Sequence, residues 1–313
     1  MLDVERSAHR SRRRGSRCHA RAWSIGVLVL ALMVSSSCSG KSDEVGAAFT
    51  PVDLADYADV EAHLDFEAGT VVMPLDNVRA VTPRLADMHL RAIWAVTDAC
   101  LSEHGYPTVS NDVDWPPVAP DEDRIFGRWS VALASRYGAA LDPTTREGFR
   151  IETVSRGVDY NKQLTSCWDE TQVLLQQELA FIESTSNVDY QIYIQSYRST
   201  LSSDQGKAAL LERTQCMERQ GVVVDEATQL PSSAYAAKSD ASVDAVRVAV
   251  VAAQCGVETG AIQQLYNVLA RYQAAYIDQR EAQLVALREK ATVVEARLAR
   301  VLQDVDEFRA SPN

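Results

Sequence analysis

Four cysteines constrain the fold of this chain more than any other feature of its sequence. The chain has 313 residues and six cysteines, of which Cys100, Cys167, Cys216 and Cys255 lie well beyond residue 38. An even number of cysteines in an exported chain is typical of a disulfide framework. Four cysteines allow three pairings, and their spacing alone does not select one. Four free thiols are the alternative, and a metal site of four cysteines is disfavoured because no C-x-x-C pair occurs.

A short internal repeat favours one pairing. Residues 99–106 read ACLSEHGY and residues 215–222 read QCMERQGV, with a long apolar residue after the cysteine and a glycine five positions after it in both. A second cysteine follows later in each half, next to a helical stretch. A duplicated unit would carry one bridge per copy, so the repeat predicts the disulfides Cys100–Cys167 and Cys216–Cys255. Each bridge would contribute about 4 kcal/mol by the chain-entropy estimate.

The first 40 residues have the character of an export signal. Seven arginines lie in residues 6–21, and an uncharged run, Trp23–Val34, follows them. That run is too short to cross a bilayer, which takes about 20 residues. A basic head, a short apolar run and small residues are typical of a secretory signal. A plain signal peptide and an uncleaved anchor are both open, as is the choice between general and twin-arginine export.

The end of this signal resembles a bacterial lipobox. Three serines, Ser35 to Ser37, precede Cys38. The resemblance implies that Cys38 is diacylated on sulfur and becomes the new N-terminus after cleavage. One departure is Ser35, which stands where a lipobox usually has leucine.

Several segments together resemble a group of secreted lipoproteins of actinobacteria. They are the lipobox, the duplicated Cys-[Leu/Met]-x-x-x-Gly element, the stretch LDFEAGTVVMPLD at 64–76 and the tripeptide Arg136-Tyr137-Gly138. The resemblance covers most of the chain from Cys38 onward, but the group has no established activity that it could imply here. The second copy has Val222 where an aromatic residue is usual.

The charge balance excludes one large class of partners. The formal net charge is −12, and residues 1–37 hold seven of the 31 basic and two of the 43 acidic residues. The chain from Cys38 onward therefore has a net charge of −17. Such an acidic body repels a phosphate backbone, so we expect no nucleic-acid partner. A composition of 46% hydrophobic and 24% charged residues is sufficient for a buried core.

The pattern of apolar residues predicts a mainly α-helical fold. Thr82 and Pro83 form a helix start, and Gly105 with Pro107 forms a helix end. Heptad spacing predicts a helix over 167–184 that continues to about 202, and Ser203 can cap a further helix ending at Gly221. The valine-rich segment 243–253 alternates as a strand would, but its alanines favour a helix. The strand candidate is Thr70–Met73.

The C-terminal segment carries the longest apolar stripe. Residues 258–309 contain no proline and one early glycine, Gly260, which predicts one helix of about 50 residues. The stripe from Leu284 to Phe308 must be buried against another helix. Either it packs on the segment 168–202 as an antiparallel hairpin, which we favour, or it forms a coiled coil with a second molecule.

These features divide the chain into four parts. We expect a signal peptide at 1–37, a lipidated cysteine with a tether and short extended segment at 38–80, a first helical repeat at 81–202, and a second repeat with the long C-terminal helix at 203–313.

The sequence contains no motif of a known catalytic site. It lacks G-x-S-x-G, H-E-x-x-H and a P-loop. The histidines beyond residue 38 are His63, His89 and His104, and none has a suitable partner in sequence. We therefore name no catalytic residue, no metal ligand and no cofactor.

A carboxylate-rich loop is the candidate binding segment. It contains Trp115 among acidic residues, and the candidate contacts are Trp115, Asp112, Asp114, Asp121 and Asp123. Carboxylate oxygens at this density could bind Ca²⁺, but the loop lacks the EF-hand pattern. A solvated acidic loop is therefore the simpler interpretation.

The sequence therefore predicts a protein anchored by lipid to the outer face of the cytoplasmic membrane. We expect a non-enzymatic binding or scaffold component of the cell envelope, with the C-terminal helix as the surface for a protein partner. The first alternative is a solute- or peptide-binding module that recognises a cationic peptide or a metal. The remote alternative is an envelope hydrolase.

Overall fold

A computed structural model describes residues 48–110, 122–140, 156–226, 229–231 and 242–310. Within these ranges the protein is mainly helical, as predicted, with nine helices and one two-stranded sheet. The helices are α1 (Pro83–Glu103), α2 (Val131–Tyr137), α3 (Val158–Leu174), α4 (Gln176–Ser202), α5 (Asp204–Arg219), α6 (Val243–Glu258), α7 (Ala261–Asp278), α8 (Glu281–Gln303) and α9 (Val305–Ala310). The strands are β1 (His63–Asp65) and β2 (Thr70–Val72).

The helix starts follow the capping residues of the sequence. The Thr82 hydroxyl accepts a hydrogen bond from the backbone N–H of Leu85 at the start of α1. The Ser203 hydroxyl accepts one from Gly206 at the start of α5. Each cap satisfies a backbone donor that has no partner inside its helix. Segment 243–253 lies within α6, so its helical prediction is confirmed.

The predicted strand is confirmed over Thr70–Val72. It pairs antiparallel with β1, with His63 opposite Val72. The turn between the strands is held by Asp65, whose carboxylate accepts hydrogen bonds from the backbone N–H groups of Glu67 and Ala68. The sequence did not indicate β1, because three residues are too few to establish an alternation.

The segment before α1 lies along α7 from its first described residues. The side chain of Asn267 accepts a hydrogen bond from the backbone N–H of Ala62, at 3.0 Å. Gln273 likewise accepts one from Leu75, at 3.2 Å. These side-chain contacts satisfy backbone groups that no strand partner reaches. Residues 48–80 are therefore part of the folded body, and the predicted tether before Ala48 lies outside the described residues.

The prediction of one C-terminal helix of about 50 residues is wrong. Gly260 has a left-handed φ of +69° and separates α6 from α7 with a bend of 68°. Further breaks lie at Gln279–Arg280, before α8, and at Asp304, before α9. In the sequence, a second apolar stripe from Ile262 to Tyr276 has a phase shifted from that of Leu284 to Phe308, which agrees with a break between α7 and α8. The main partners of the two stripes differ, since α7 packs on α4 and α5 and α8 packs mainly on α1, so one straight helix could not bury both.

The stripe from Leu284 to Phe308 is buried within the chain. Leu298 and Val301 are fully buried in a cluster that also contains Val96 of α1 and Leu175, which lies between α3 and α4. Helix α8 packs mainly on α1, whereas α7 packs on α4 and α5. The preferred intrachain packing therefore holds. Helix α7 packs on α4, and α8, although it packs mainly on α1, also contacts the predicted partner 168–202 through Leu175 and Phe181.

A second cluster surrounds α7. Ile262, Leu265 and Leu269 are at most 1% exposed and pack with Phe126 and Trp129 from the segment before α2. Within the described ranges, no single helix has the length and apolar composition of a membrane span. Helices α6 and α7, which are separated by the bend of 68°, meet these two criteria only when they are counted together.

Candidate functional site

The structure contains both disulfides that the repeat predicts. Cys100–Cys167 joins α1 to α3, and Cys216–Cys255 joins α5 to α6, with a Cα–Cα separation of 5.6 Å in each. All four cysteines are buried, at 0 to 6% exposure. Each bridge thus fixes a contact between two helices and closes a loop of 67 or 39 residues.

The first cysteine of each pair sits before the same kind of helix end. Gly105 and Gly221 follow with φ of +75° and +74°. In the first half, the backbone N–H of Tyr106 donates to the carbonyl of Leu101, at 2.9 Å; in the second, Val222 donates to Met217, at 3.0 Å. A left-handed glycine with this backward hydrogen bond terminates a helix. The two sequence copies therefore form the same local structure, and the duplication of whole halves stays a prediction.

The surroundings of the two bridges differ in polarity. Cys216 and Cys255 lie in an apolar cluster with Met217, Val222 and Val248. Beside the other bridge, Glu170 Oε2 lies 3.6 Å from Cys100 Sγ, and His104 Nδ1 lies 2.8 Å from the backbone carbonyl oxygen of Cys100.

Three of these polar and sulfur groups have the spacing of metal ligands. Among the described residues, one group of three or more such side chains does so, namely Cys100, His104 and Cys167. Their candidate ligand atoms lie within 4.8 Å of one another. In the disulfide form, however, the two sulfurs carry no thiolate that could bind a metal.

A groove of about 890 Å³ opens next to this bridge. It lies between α1, α3 and α9 and is lined by Ala95, Asp98, Ala99, Ser102, Glu103, Thr108, Glu170, Leu174, Val305, Asp306, Arg309 and Ala310. Four of these residues are acidic and one is basic, so the lining carries a net negative charge. The basic residue, Arg309, already pairs with Glu103 at 2.6 Å and with Glu170 at 2.8 Å.

One acidic residue of the groove has a structural role. Asp98 accepts hydrogen bonds from the backbone N–H groups of Val109, at 2.6 Å, and Ser110, at 2.8 Å, and from the Ser110 hydroxyl. Because Asp98 is buried, these three donors replace its water shell. They fix the segment after α1 against the groove.

The predicted carboxylate-rich loop falls mostly outside the described residues. The candidate contacts Trp115, Asp112, Asp114 and Asp121 all lie outside the described residues. The remaining candidate, Asp123, faces the interior: its Oδ1 accepts hydrogen bonds from the Tyr266 hydroxyl and from the backbone N–H of Ile125.

The neighbour of Asp123 is also engaged internally. Glu122 forms a two-pronged pair with Arg128, through Nε at 2.6 Å and Nη2 at 2.5 Å. Arg128 is 5% exposed, and its Nη1 donates to the carbonyl of Gly138, at 2.7 Å. The pair closes the segment 122–140 on itself, so neither of these two carboxylates is free for a ligand.

Tyr266 links Asp123 to the core. Trp129 Nε1 donates to the Tyr266 hydroxyl at 2.9 Å, and that hydroxyl donates to Asp123. Burial, followed by the negative charge of Asp123, raises the pKa of Tyr266 far above its ordinary value. The phenol therefore stays protonated and acts as a hydrogen-bond relay inside the cluster.

Arg213 is a buried cation that sequence reasoning missed. It is 1% exposed, and its Nη1 donates to the backbone carbonyl of Phe126, at 2.6 Å. Burial lowers the pKa of Arg213 to about 10, so the side chain still carries its charge at neutral pH. Arg213 shares its helix face with Ala209, Cys216 and Met217, which are buried, so an arginine at helical spacing from apolar residues was the available sequence signal.

The three histidines have no catalytic partner within the ranges that the structure describes. No hydrogen bond joins His63, His89 or His104 to a serine hydroxyl or a carboxylate there. His89 is buried with Nε2 unpaired, and burial lowers its pKa. This arrangement gives no support to a nucleophile and base pair.

We expect Asp189 to make the stability of the fold depend on pH. Burial raises the pKa of Asp189 to about 6, while the charge of Arg79 acts in the opposite direction. The folded state therefore binds a proton that the unfolded state has lost, and stability decreases as pH rises from about 4 to about 6. Asp189→Asn should remove this loss. We predict a variant more stable by on the order of 1 kcal/mol at about pH 7.5 and not at about pH 4, in urea unfolding.

The control for this prediction is Asp244→Asn. Asp244 is an exposed carboxylate in the first turn of α6. An equal gain for Asp189→Asn at both pH values would show that the substitution acts through packing and not through the charge.

No protein-family model, no curated protein and no solved structure matches this chain. The resemblance to secreted lipoproteins of actinobacteria therefore stays a prediction from the sequence.

Proposed function

We propose that this protein is a lipid-anchored, extracytoplasmic and non-enzymatic binding or scaffold component of the cell envelope. The observation that carries the proposal is the presence of two buried intrachain disulfides in a chain that begins with a basic, apolar and serine-cysteine segment. Disulfides persist in oxidising compartments and are rare in the cytosol. The two features agree on export, although they come from separate parts of the chain.

The anchor in this proposal is Cys38. Two or more acyl chains hold a protein at a membrane far more firmly than one. The acidic body would stand away from anionic lipids, because attraction to their surface needs basic clusters. The folded domain would therefore be held by the lipid and remain accessible to partners.

A partner along the stripe from Leu284 to Phe308 is less favoured than the sequence suggested. This stripe is covered by the chain itself, mainly by α1. A binding role is better supported by the groove between α1, α3 and α9.

The anchor is tested with the variant Cys38→Ala. In detergent phase separation of whole cells, the parent chain should enter the detergent phase and Cys38→Ala should not. The matched control is Cys18→Ala, which should behave as the parent, because Cys18 belongs to the discarded head. Retention of Cys38→Ala in the detergent phase would favour an uncleaved apolar anchor and contradict the proposal.

A second candidate function is recognition of a cationic solute or peptide. The acidic lining of the groove favours it, since Glu103 and Glu170 together hold the guanidinium of Arg309. An ammonium or guanidinium group of a ligand that displaces Arg309 would find the same charge-assisted acceptors.

This second function predicts binding of a tetralysine peptide to the groove. We expect Glu103→Gln combined with Glu170→Gln to weaken that binding by at least about tenfold in calorimetry, because one tenfold step corresponds to about 1.4 kcal/mol. Glu289→Gln, an exposed position on α8 away from the lining, should have no effect. Equal binding by all variants, or none by the parent, would exclude the groove as the site.

A further inference from the structure

We propose that the chain binds one zinc ion through Cys100, Cys167, His104 and Glu170 while its two cysteines are in the dithiol form. This site depends neither on the lipid anchor nor on a ligand of the groove. It would be occupied before the disulfide closes, so zinc and the disulfide are alternative crosslinks between the same two helices.

The ligands come from two short motifs on facing helices. Cys100 and His104 are four residues apart at the C-terminal end of α1, and Cys167 and Glu170 are three apart on α3. Residues three or four apart lie on one face of a helix. The disulfide shows that the two faces meet, and the ligand atoms of Cys100, His104 and Cys167 lie within 4.8 Å of one another.

The two carboxylate oxygens of Glu170 have different neighbours. Its Oε1 accepts a hydrogen bond from Arg309, at 2.8 Å, while its Oε2 lies 3.6 Å from Cys100 Sγ. The arginine fixes the carboxylate and leaves the second oxygen facing the sulfur. Such an outer partner is typical of carboxylates that bind metal ions.

His104 is held in a comparable way. Its Nδ1 lies 2.8 Å from the carbonyl oxygen of Cys100, which keeps the imidazole against the last turn of α1. Histidines that bind metals commonly donate one ring N–H to a backbone carbonyl and use the other nitrogen for the metal.

The two helices do not depend on the disulfide alone for their contact. The hydroxyls of Thr97 and Thr171 are hydrogen-bonded at 3.0 Å in the buried interface, and the rings of Trp94 and Trp168 lie 5.5 Å apart. Thr97 and Trp94 both precede Cys100 on α1, and Trp168 and Thr171 both follow Cys167 on α3, so the two contacts lie on the same side of the bridge. We therefore expect the four ligands to stay together in the dithiol chain.

The donor set suits zinc. Two thiolates, an imidazole and a carboxylate are ligands that Zn²⁺ accepts in tetrahedral geometry, with sulfurs about 3.8 Å apart at Zn–S bonds of about 2.3 Å. Each thiol loses its proton to bind, so one ion displaces two protons and forms two zinc–sulfur bonds. No electron is transferred in this step. The disulfide form must be reduced before it can bind zinc. An external dithiol supplies the two electrons, and it becomes a disulfide as the bond between Cys100 and Cys167 breaks.

An ion could reach the site from the groove. Glu170 lines it, together with Ala99 and Glu103, which flank Cys100 on α1. The other bridge offers a natural comparison, because Cys216 and Cys255 lie among apolar side chains and belong to no ligand group within the described residues. One chain therefore contains a predicted site and a matched cysteine pair without one.

The experiment uses Co²⁺, whose bonds to thiolates give a charge-transfer absorption, followed by competition with Zn²⁺. The full chain carries Cys18→Ser and Cys38→Ser and is kept reduced with a phosphine. We expect one bound Co²⁺ per chain, displaced by Zn²⁺. Cys216→Ser combined with Cys255→Ser should retain the absorption, and Cys100→Ser combined with Cys167→Ser should lose it.

The variant His104→Ala separates loss of a metal ligand from loss of the fold. The side chain is exposed, so the variant should keep the helical circular dichroism of the parent while its affinity for Co²⁺ falls by about tenfold or more. No absorption in the reduced parent would overturn the proposal. So would absorption that survives loss of Cys100 and Cys167, or an unchanged affinity in His104→Ala.

Discussion

Replacing Cys100 and Cys167 together by serine will lower the free energy of unfolding by about 4 kcal/mol. Their bridge closes a loop of 67 residues, and the chain-entropy estimate for a loop of this size gives that magnitude. Replacing Cys216 and Cys255 should also lower the free energy of unfolding by about 4 kcal/mol. Their loop has 39 residues, and the estimate depends only on the logarithm of the loop length. Urea unfolding under oxidising conditions measures both losses.

The control for this prediction is the reduced parent chain. A reductant should destabilise the parent by the sum of the two effects and should leave a chain without both bridges unchanged. Because zinc can replace the first bridge in our proposal, these measurements need a chelator. A loss below about 1 kcal/mol for either pair would mean that the bridge constrains the unfolded chain little and would contradict its structural role.

Replacing Trp129 by alanine will have the second large effect, a loss of about 4 kcal/mol. Trp129 is fully buried, and its ring contacts those of Tyr266 and Phe66, with centroids 5.6 and 5.5 Å apart. Alanine would leave a cavity at the contact between the segment 122–130 and α7. Thermal or urea unfolding measures the loss.

Two variants separate the contributions at this position. Tyr266→Phe keeps the ring but removes the hydroxyl that joins Trp129 to Asp123, so we expect a loss of about 2 kcal/mol. Tyr190→Ala removes an aromatic ring that is 60% exposed and should change stability by about 0.5 kcal/mol at most. If Trp129→Ala cost no more than Tyr190→Ala, the cluster around α7 would not be the core described above.

The parts of the fold that local sequence determines were predictable. Thr82 and Ser203 cap helices because a hydroxyl at that position satisfies a backbone donor whatever the tertiary structure is. The glycines after Cys100 and Cys216 end helices for a similar local reason. The repeat of these two elements was also sufficient to select the pairing of the cysteines.

The parts that depend on partners distant in sequence were not predictable. The apolar residues of α7 and α8 keep a 3-4 spacing apart from a shift of phase, and the break at Gln279–Arg280 follows from the packing of α7 on α4 and α5 and of α8 mainly on α1. Arg213 and Arg128 are buried because backbone carbonyls or a carboxylate meet them there. His104 and Glu170 lie beside the first bridge because α1 and α3 pack together, which local sequence does not show. The sequence signal of this cluster was the i,i+4 spacing of Cys100 and His104.

We propose that the chain is exported, lipidated at Cys38 and oxidised in two separate pairs. Mass spectrometry of the protein recovered from cell envelopes without reduction tests it most directly. We expect an N-terminal peptide that begins at an acylated Cys38, one peptide pair linked through Cys100 and Cys167, and another linked through Cys216 and Cys255. An unmodified chain that begins at Met1, or four free thiols in the recovered protein, would contradict it.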